Sequence, residues 1–536
     1  MLATLFALVA AVPQGQKPVP TFCADVAPIV FSRCAQCHRP GEVAPFPLLT
    51  YADVKKRGAT IAEVVADRFM PPWHPEQGWG EFQNCLRLSD AQVQTIVAWA
   101  KGGMPEGDRA ALPPLPDFPE GWQLGEPDLV VQMPKGFDVP ASGRDIYRNF
   151  AIPLGLQDDV WVTAIEVRPS ARDVLHHVLF FVDDTGEAIA QDGKDGKPGY
   201  AGMRVQRQQS IGGWAVGGMP EKLPQGLAIK LPKGNDLILQ SHFHPSGKKA
   251  TEQTTIGLHF AKEPPKRTIV PIQLPPFFGI AAGIDIPAGE KAWTLTDSFV
   301  LPCEVEAVTV GGHAHMLLKS MTMQAVADGA EPIKLLRIGD WDFDWQNRYT
   351  FRDLVAIPKG ATLTAELVYD NSKDNANNPN KPPKRVRWGR ESSDEMGSIT
   401  VMVVPKDEAD LPALLEAVRS HAGKGAVKRI QNQIDERFAQ FDQNKDGKVT
   451  RDEAPPAMAA FFDFLDQDKN GSLDKAEVQK AIESMAGRMG AGEGAGVPGG
   501  IPGLPGGVPG GGGNGGKKDS GDGETPRRRR RQKDGE

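Results

Sequence analysis

Three things are scarce in this chain. Cysteine is the first, with five in 536 residues: Cys23, Cys34, Cys37, Cys85 and Cys303. Two of them share one short motif, and Cys303 reads as a buried or free thiol. Only Cys23 with Cys85 is then left for a disulfide. Long apolar runs are the second scarcity. Past the first dozen residues nothing is long and apolar enough to cross a membrane as a helix, so no integral membrane segment is expected. One-sided charge is the third. Lys and Arg number 61 against 68 Asp and Glu, a net charge of −7, which gives the body of the chain no case for nucleic-acid binding. The apolar fraction of 40% and charged fraction of 24% are ordinary for soluble protein. The length allows three or four domains at about 150 residues each.

Residues 1–16 start apolar and pass through the small residues Ala10 and Ala11. This resembles a secretory signal peptide lacking its basic segment, so a periplasmic or otherwise exported location is expected. Residues 20–107 read as a small all-α domain. Within it Cys34-Ala35-Gln36-Cys37-His38 is the attachment signature of a c-type haem. Two thiols one helical turn apart can bond two vinyl groups on one porphyrin edge, and the next histidine reaches the iron. A zinc site would need two more ligands, and only His74 and Cys85 lie near. The second iron ligand is expected at Met70, on a loop before the last helix, with Met104 and His74 as alternatives. That helix is predicted to start at Ser89, where Gln92 completes a capping box, and to stop at Gly102-Gly103. This layout resembles class I cytochromes c. Residues 108–126 are a Pro-rich linker, stiff enough to hold the haem near the next domain.

From 127 to 405 short β-type runs alternate with Pro, Gly, Asn and Asp turns, as in Val160 to Val167 and Thr362 to Tyr369. Two all-β sandwiches are expected, 127–265 and 266–405. Six of the ten histidines fall at three places in this region: His176-His177, His242-Phe243-His244 and His313-Ala314-His315. His-x-His on a strand puts two rings on one face about 7 Å apart, which suits a shared metal. Adjacent histidines are harder to place, because a regular strand throws neighbouring side chains to opposite faces. Either one is buried and one exposed, or both turn to one ion at a strand end.

The ordered set resembles the copper type II, ascorbate-dependent monooxygenases, the family of the peptidylglycine α-hydroxylating and dopamine β-monooxygenases. The resemblance covers about half the chain. It implies two jelly-roll-like β domains, each holding one copper ion. The electron-transfer copper would sit on His176, His177 and His242, with His244 lining that site or replacing His242. The catalytic copper would sit on His313, His315 and Met396, the last within Glu395-Met396-Gly397. Imidazole suits both copper oxidation states and a thioether favours Cu(I). The implied reaction is O₂-dependent hydroxylation of a C–H bond in a small-molecule or peptide-like substrate, with an electron donor to the haem. One departure matters. The Arg that in peptide-amidating members precedes the His-x-His is here Gly311, and their Asn and Tyr after the Met are matched by Ser398 and Thr400. A C-terminal glycine peptide is therefore a poor substrate, and the family's disulfide set is absent too. A non-enzymatic copper and haem electron-transfer or copper-handling protein is the rival reading. A calcium-dependent adhesion module is a weaker one.

Residues 406–488 read as helical, with Val427, Ile430, Ile434, Phe438 and Phe441 at 3/4 spacing before a loop. Two segments there match the EF-hand calcium loop. The first offers Asp442, Asn444, Asp446, Lys448 by its carbonyl, and Glu453. The second offers Asp466, Asp468, Asn470, Ser472 by its carbonyl, and Glu477. Pro455-Pro456 shortens the helix between them, so structural calcium sites are expected rather than a switch. Residues 489–536 are Gly/Pro repeats followed by Arg527 to Arg531, a disordered tail that could touch an acidic surface. The expected whole is multidomain: an all-α cytochrome c domain, two all-β sandwich copper domains, an α-helical EF-hand pair and the tail. Replacing Cys34 and Cys37 by Ala should abolish covalent haem, read as loss of haem staining on a denaturing gel. Staining that survives the double change would refute the attachment site.

Overall fold

A computed structural model describes residues 18–42, 44–119, 121–202, 208–389, 391–423, 441–442, 444–454, 462–466, 468–477 and 480. The signal-like start, most of the predicted helix over Val427 to Phe441, Pro455-Pro456 and the Gly/Pro and Arg-rich tail lie outside these residues. The chain divides into two compact units. One is Met1–Trp73 with Asn84–Glu120, and the other is His74–Gln83 with Gly121–Glu536.

The first unit holds a π-helical turn Phe22–Val26 and helices α1 (Ala27–Arg33), α2 (Tyr51–Lys56), α3 (Gly58–Ala66) and α4 (Asp90–Lys101). Thr50 and Asp53 cap α2 reciprocally, and Ser89 and Gln92 do the same for α4. The capping box read from the sequence is therefore in place, and Gly102 is the C-cap. Phe22, Val26, Val30, Val54, Ile61, Val65, Ile96 and Trp99 form one buried core.

The second unit is built from antiparallel strands. Its first ten are β1 (Leu129–Gln132), β2 (Phe137–Val139), β3 (Ile146–Pro153), β4 (Val160–Arg168), β5 (Leu175–Asp183), β6 (Gln208–Ala215), β7 (Ile229–Leu231), β8 (Asp236–Phe243), β9 (Ala250–Glu252) and β10 (Thr255–Phe260). Sheet β1-β10-β4-β7 and sheet β3-β8-β5-β6 share a core. Val162, Leu231, Ile256 and Leu258 from one meet Phe150, Leu175, Val178, Leu239 and Phe243 from the other. Then come β11 (Val270–Leu274), β12 (Asp285–Ile286), β13 (Trp293–Val300), β14 (Val305–Ala314), β15 (Leu318–Val326), β16 (Ile333–Ile338), β17 (Arg348–Ile357), β18 (Thr362–Tyr369), β19 (Val386–Arg387) and β20 (Gly397–Pro405). They give the sheets β11-β20-β14-β17 and β13-β18-β15-β16. Alternate residues of β18 (Leu363, Ala365, Leu367, Tyr369) are buried, as a half-covered strand requires.

Segment His74–Gln83 belongs to this β unit. Pro75 bridges Ile338 and Phe82 bridges Phe351. Gln83 N–H donates to the Thr350 carbonyl at 2.8 Å, and Lys334 and Arg337 lie over the Trp79 ring at 5.5 and 5.7 Å.

The architecture expected from sequence is corrected on these findings. The chain is mostly β-sheet with few helices, and no all-α cytochrome c domain is among the described residues. Proline and glycine explain the shortfall. Pro40, Pro45 and Pro47, then Pro71, Pro72, Pro75, Gly78 and Gly80, hold most of the chain around the helices in turns and extended segments. The strands form four separate four-stranded sheets inside one compact unit. The disulfide is corrected as well, since Cys23 and Cys85 both carry free thiols.

The two EF-hand loops are joined by a two-stranded ladder, Val449↔Leu473 and Thr450↔Ser472, with Val449 and Leu473 fully buried. In each loop the first Asp takes backbone N–H groups: Gly447 to Asp442 and Gly471 to Asp466, both at 2.9 Å. Gly447 (φ 83°) and Gly471 (φ 80°) need the left-handed conformation that glycine tolerates. Carboxylate oxygens of Asp466, Asp468 and Glu477 lie within 4.8 Å of one another. Calcium at 100 times its dissociation constant should stabilise the folded loops by about 2.7 kcal/mol. Calorimetry should show that rise, and Glu477→Gln should remove most of it. An unmoved transition would mean inert loops.

Candidate metal centre

The sequence posed a puzzle at His176-His177, and a β-bulge solves it. Along the β5–β8 ladder Leu175 faces Phe243 and His177 faces His242, with the register slipping between Leu175 and His177. The extra residue is His176. A bulge turns a side chain out of strict alternation, so both imidazoles reach one side. His176 Nδ1 lies 3.1 Å from His177 Nδ1, and His242 Nδ1 lies 3.3 Å from it. The three ring centroids are 4.7, 4.8 and 5.3 Å apart.

The outward nitrogens are held. His242 Nε2 pairs with Asp145 Oδ2 at 3.0 Å, and His176 Nε2 with Asp344 Oδ1 at 3.3 Å. His244 turns to Asp145 Oδ1 through its Nδ1 at 2.8 Å and is half exposed. His242 is thus the inward member of its pair, and His244 supports it from behind. Asp145 also accepts from Ser392 Oγ at 2.6 Å. Burial opposes ionisation of Asp145, but hydrogen bonds from His242 and His244 hold its carboxyl well below the usual range. Carboxylates behind metal-ligating histidines fix ring orientation in this way.

His313 and His315 stand at the end of β14. Across the β14–β20 ladder His313 faces Ser398 and Ala314 faces Gly397. One position further lie His315 and Met396, so strand register brings the thioether residue beside the His-x-His. The two rings are 5.5 Å apart. His315 Nδ1 lies 3.1 Å from the Asp394 carbonyl, which leaves Nε2 for a ligand. Glu395 is fully buried. It accepts backbone N–H groups from His315 (3.1 Å), Leu317 (2.8 Å) and Met396 (3.2 Å), tying the two chain segments together. Burial pushes its carboxyl up to about 8 against those three bonds. Tyr369 Oη donates to the Met396 carbonyl at 2.9 Å, and a Cβ on Gly397 would collide with that hydroxyl.

Sequence reasoning missed the loop 341–347. Phe343 stacks on His176 at 5.2 Å and meets His242 and His315 at 6.2 and 6.0 Å. Trp341 Nε1 donates to the His315 carbonyl at 3.1 Å, and Gln346 Nε2 donates to the Phe343 carbonyl at 3.0 Å. Its run of alternating aromatic and polar residues, Trp341-Asp342-Phe343-Asp344-Trp345-Gln346, was the available signal. The turn Phe277-Phe278 was missed too. Both residues have left-handed φ (53° and 55°), which is strained for bulky side chains, and Phe278 meets His313 at 5.1 Å.

The residues fit copper. Three Nδ1 atoms converge with too few protons to satisfy one another, and a cation resolves that contact. Burial lowers His242 and His313 to about 4 and His315 to about 3, and depresses His177 strongly. Neutral imidazole is the ligand form.

The haem motif has suitable local geometry. Cys37 and His38 N–H groups both bond the Cys34 carbonyl, at 3.2 and 2.9 Å, closing one tight turn. His38 Nδ1 lies 3.1 Å from the Phe46 carbonyl, which leaves Nε2 for iron. Burial pushes the Cys34 thiol up to about 12, unsuited to thiolate redox or zinc chemistry. Met70 follows α3 in a turn, with its N–H on the Val64 carbonyl at 3.1 Å. The Met104 sulfur packs over Gly58 and Trp99, and His74 belongs to the other unit.

An EF hand family model matches residues 434–453 and 458–482. The EF-hand pair and its calcium loops stand on that match. No curated protein matches the chain. Among solved structures, N-glycanase F (PNGase F) is 10% identical over 52% of this chain and 96% of its own, with a TM-score of 0.25. The major capsid protein P2 of bacteriophage PM2 is 8% identical over 49% and 97%, at 0.21. The infectious bursal disease virus VP2 particle is 12% identical over 51% and 70%, at 0.16. At these scores the likenesses carry no argument.

The depressed histidines set a pH dependence. The folded state binds fewer protons than the unfolded chain, whose histidines titrate near 6.5, so their contribution to stability is complete above that value. It should be lost as pH falls from about 6.5 to about 3. The melting temperature of the metal-free protein should decline over that window, more shallowly in the double variant His313→Gln, His315→Gln. Equal slopes would show that these rings do not titrate on unfolding.

Proposed function

We propose that this chain is an exported copper-dependent monooxygenase that hydroxylates a C–H bond with O₂, supplied with electrons through a haem held by Cys34, Cys37, His38 and Met70. The observation that supports it is the convergence of five histidines from three separate strand regions, three of them buried. Copper bound there would supply one-electron redox chemistry and a position for O₂. The chain's own residues do the rest. Asp145 and Asp344 orient His242 and His176 from behind. Glu395 fixes His315 and Met396 in one frame. Phe343, Phe278 and Trp341 shield the imidazoles from water, and a dry site strengthens every charge interaction within it. The Pro-rich linker 108–126 keeps the electron donor at high effective concentration.

Oxygen uptake tests this reading. The copper-loaded full chain, given reductant, should consume O₂ in step with hydroxylated product for one class among small aromatic, amine and peptide substrates. His313→Ala and Met396→Leu should abolish the coupled uptake while haem stays attached. Bound copper with no substrate-dependent uptake would return the chain to the electron-transfer or copper-handling reading.

A further inference from the structure

We infer that the five histidines form a single paired-metal centre, with two copper ions close enough for their unpaired electrons to interact, rather than two remote single-ion sites. The inference deepens the copper reading above and rests on it.

Ring spacing points to the pair. A metal–imidazole bond is about 2.0 Å. An ion therefore lies roughly 3 Å from each ring centroid, and two rings on one tetrahedral ion have centroids roughly 5 Å apart. His176, His177 and His242, at 4.7, 4.8 and 5.3 Å, meet that spacing as a set. His313 and His315, at 5.5 Å, meet it as a pair. Between the sets the His177 and His313 rings are only 6.0 Å apart, nearly edge to face at 80°. That gap is little wider than the spacing inside the pair, and no side-chain layer fits within it. Phe343 closes the same cluster from the side, touching His176 and His242 of one set and His315 of the other.

Two copper cations this close repel, so the surroundings must supply negative charge. Two carboxylates stand around the cluster: Asp145 behind His242 and Asp344 behind His176. Two further contacts brace the approach. Tyr147 stacks on His242 at 4.3 Å, and its hydroxyl lies 3.2 Å from Ser392 Oγ in the loop that leads to Met396.

Electron paramagnetic resonance on the full chain loaded with Cu(II) tests this. Metal analysis should give two copper ions per chain, with fewer than two spins in the ordinary copper signal and an added half-field line. The double variant His313→Ala, His315→Ala carries the same haem and should keep one copper with a full, simple signal and no half-field line. Two copper ions with a full spin count and no half-field line would overturn the paired centre and leave the copper reading standing. A half-field line that survives in the variant would also overturn it. So would a single ion shared by all five rings. Failure to bind copper at all would remove both.

Discussion

Everything at this site depends on holding neutral imidazoles against one another out of water. Histidine rings packed this closely cannot all be protonated, and burial makes the charged form expensive. The fold meets the constraint with a single extra residue. The bulge at His176 turns what would be the outward member of an adjacent pair inward. Without it, β5 would offer one imidazole to the site and one to solvent. The same strand then pairs His177 directly with His242 on β8, so hydrogen bonding of the ladder and convergence of the rings are one event.

The second set is placed by register in the same way. The β14–β20 ladder aligns His313 with Ser398 and carries His315 toward Met396. Glu395 then fastens this end with three backbone hydrogen bonds. A buried carboxylate without a cationic partner is costly. Its position beneath His315 is the counterpart of Asp145 behind His242. Burial raises the Glu395 carboxyl, whereas Asp145 lies where a bound cation would offset its charge.

The EF-hand pair and the haem motif show another kind of constraint. Their ligands are close in sequence, and each motif closes on itself by short-range hydrogen bonds: Gly447 and Gly471 onto Asp442 and Asp466, and His38 onto Cys34 and Phe46. Such sites need little from the rest of the chain. The histidine cluster is the opposite case, because its ligands are brought from residues 176 to 315 by strand pairing within each set and by packing between the sets.

That contrast separates what the sequence determined from what the tertiary structure decided. Local order was legible. The Ser89–Gln92 cap, the calcium loops with their glycines, and the strand character of the histidine runs follow from residue chemistry over a few positions. So did His176, His177, His242, His313 and His315 as candidate ligands, because three histidine groups recur in one β-rich region. The architecture was misjudged where local texture had to stand for global packing. Prolines and glycines thinned the expected helices, and all the long strands fall within one compact unit. Only the folded chain could set the choice between His242 and His244, since Asp145 turns one inward and keeps the other outside. The same holds for Phe343 and for the 6.0 Å approach of His177 to His313. Side chains far apart in sequence meet through sheet register and packing, and no periodicity in the sequence encodes that distance.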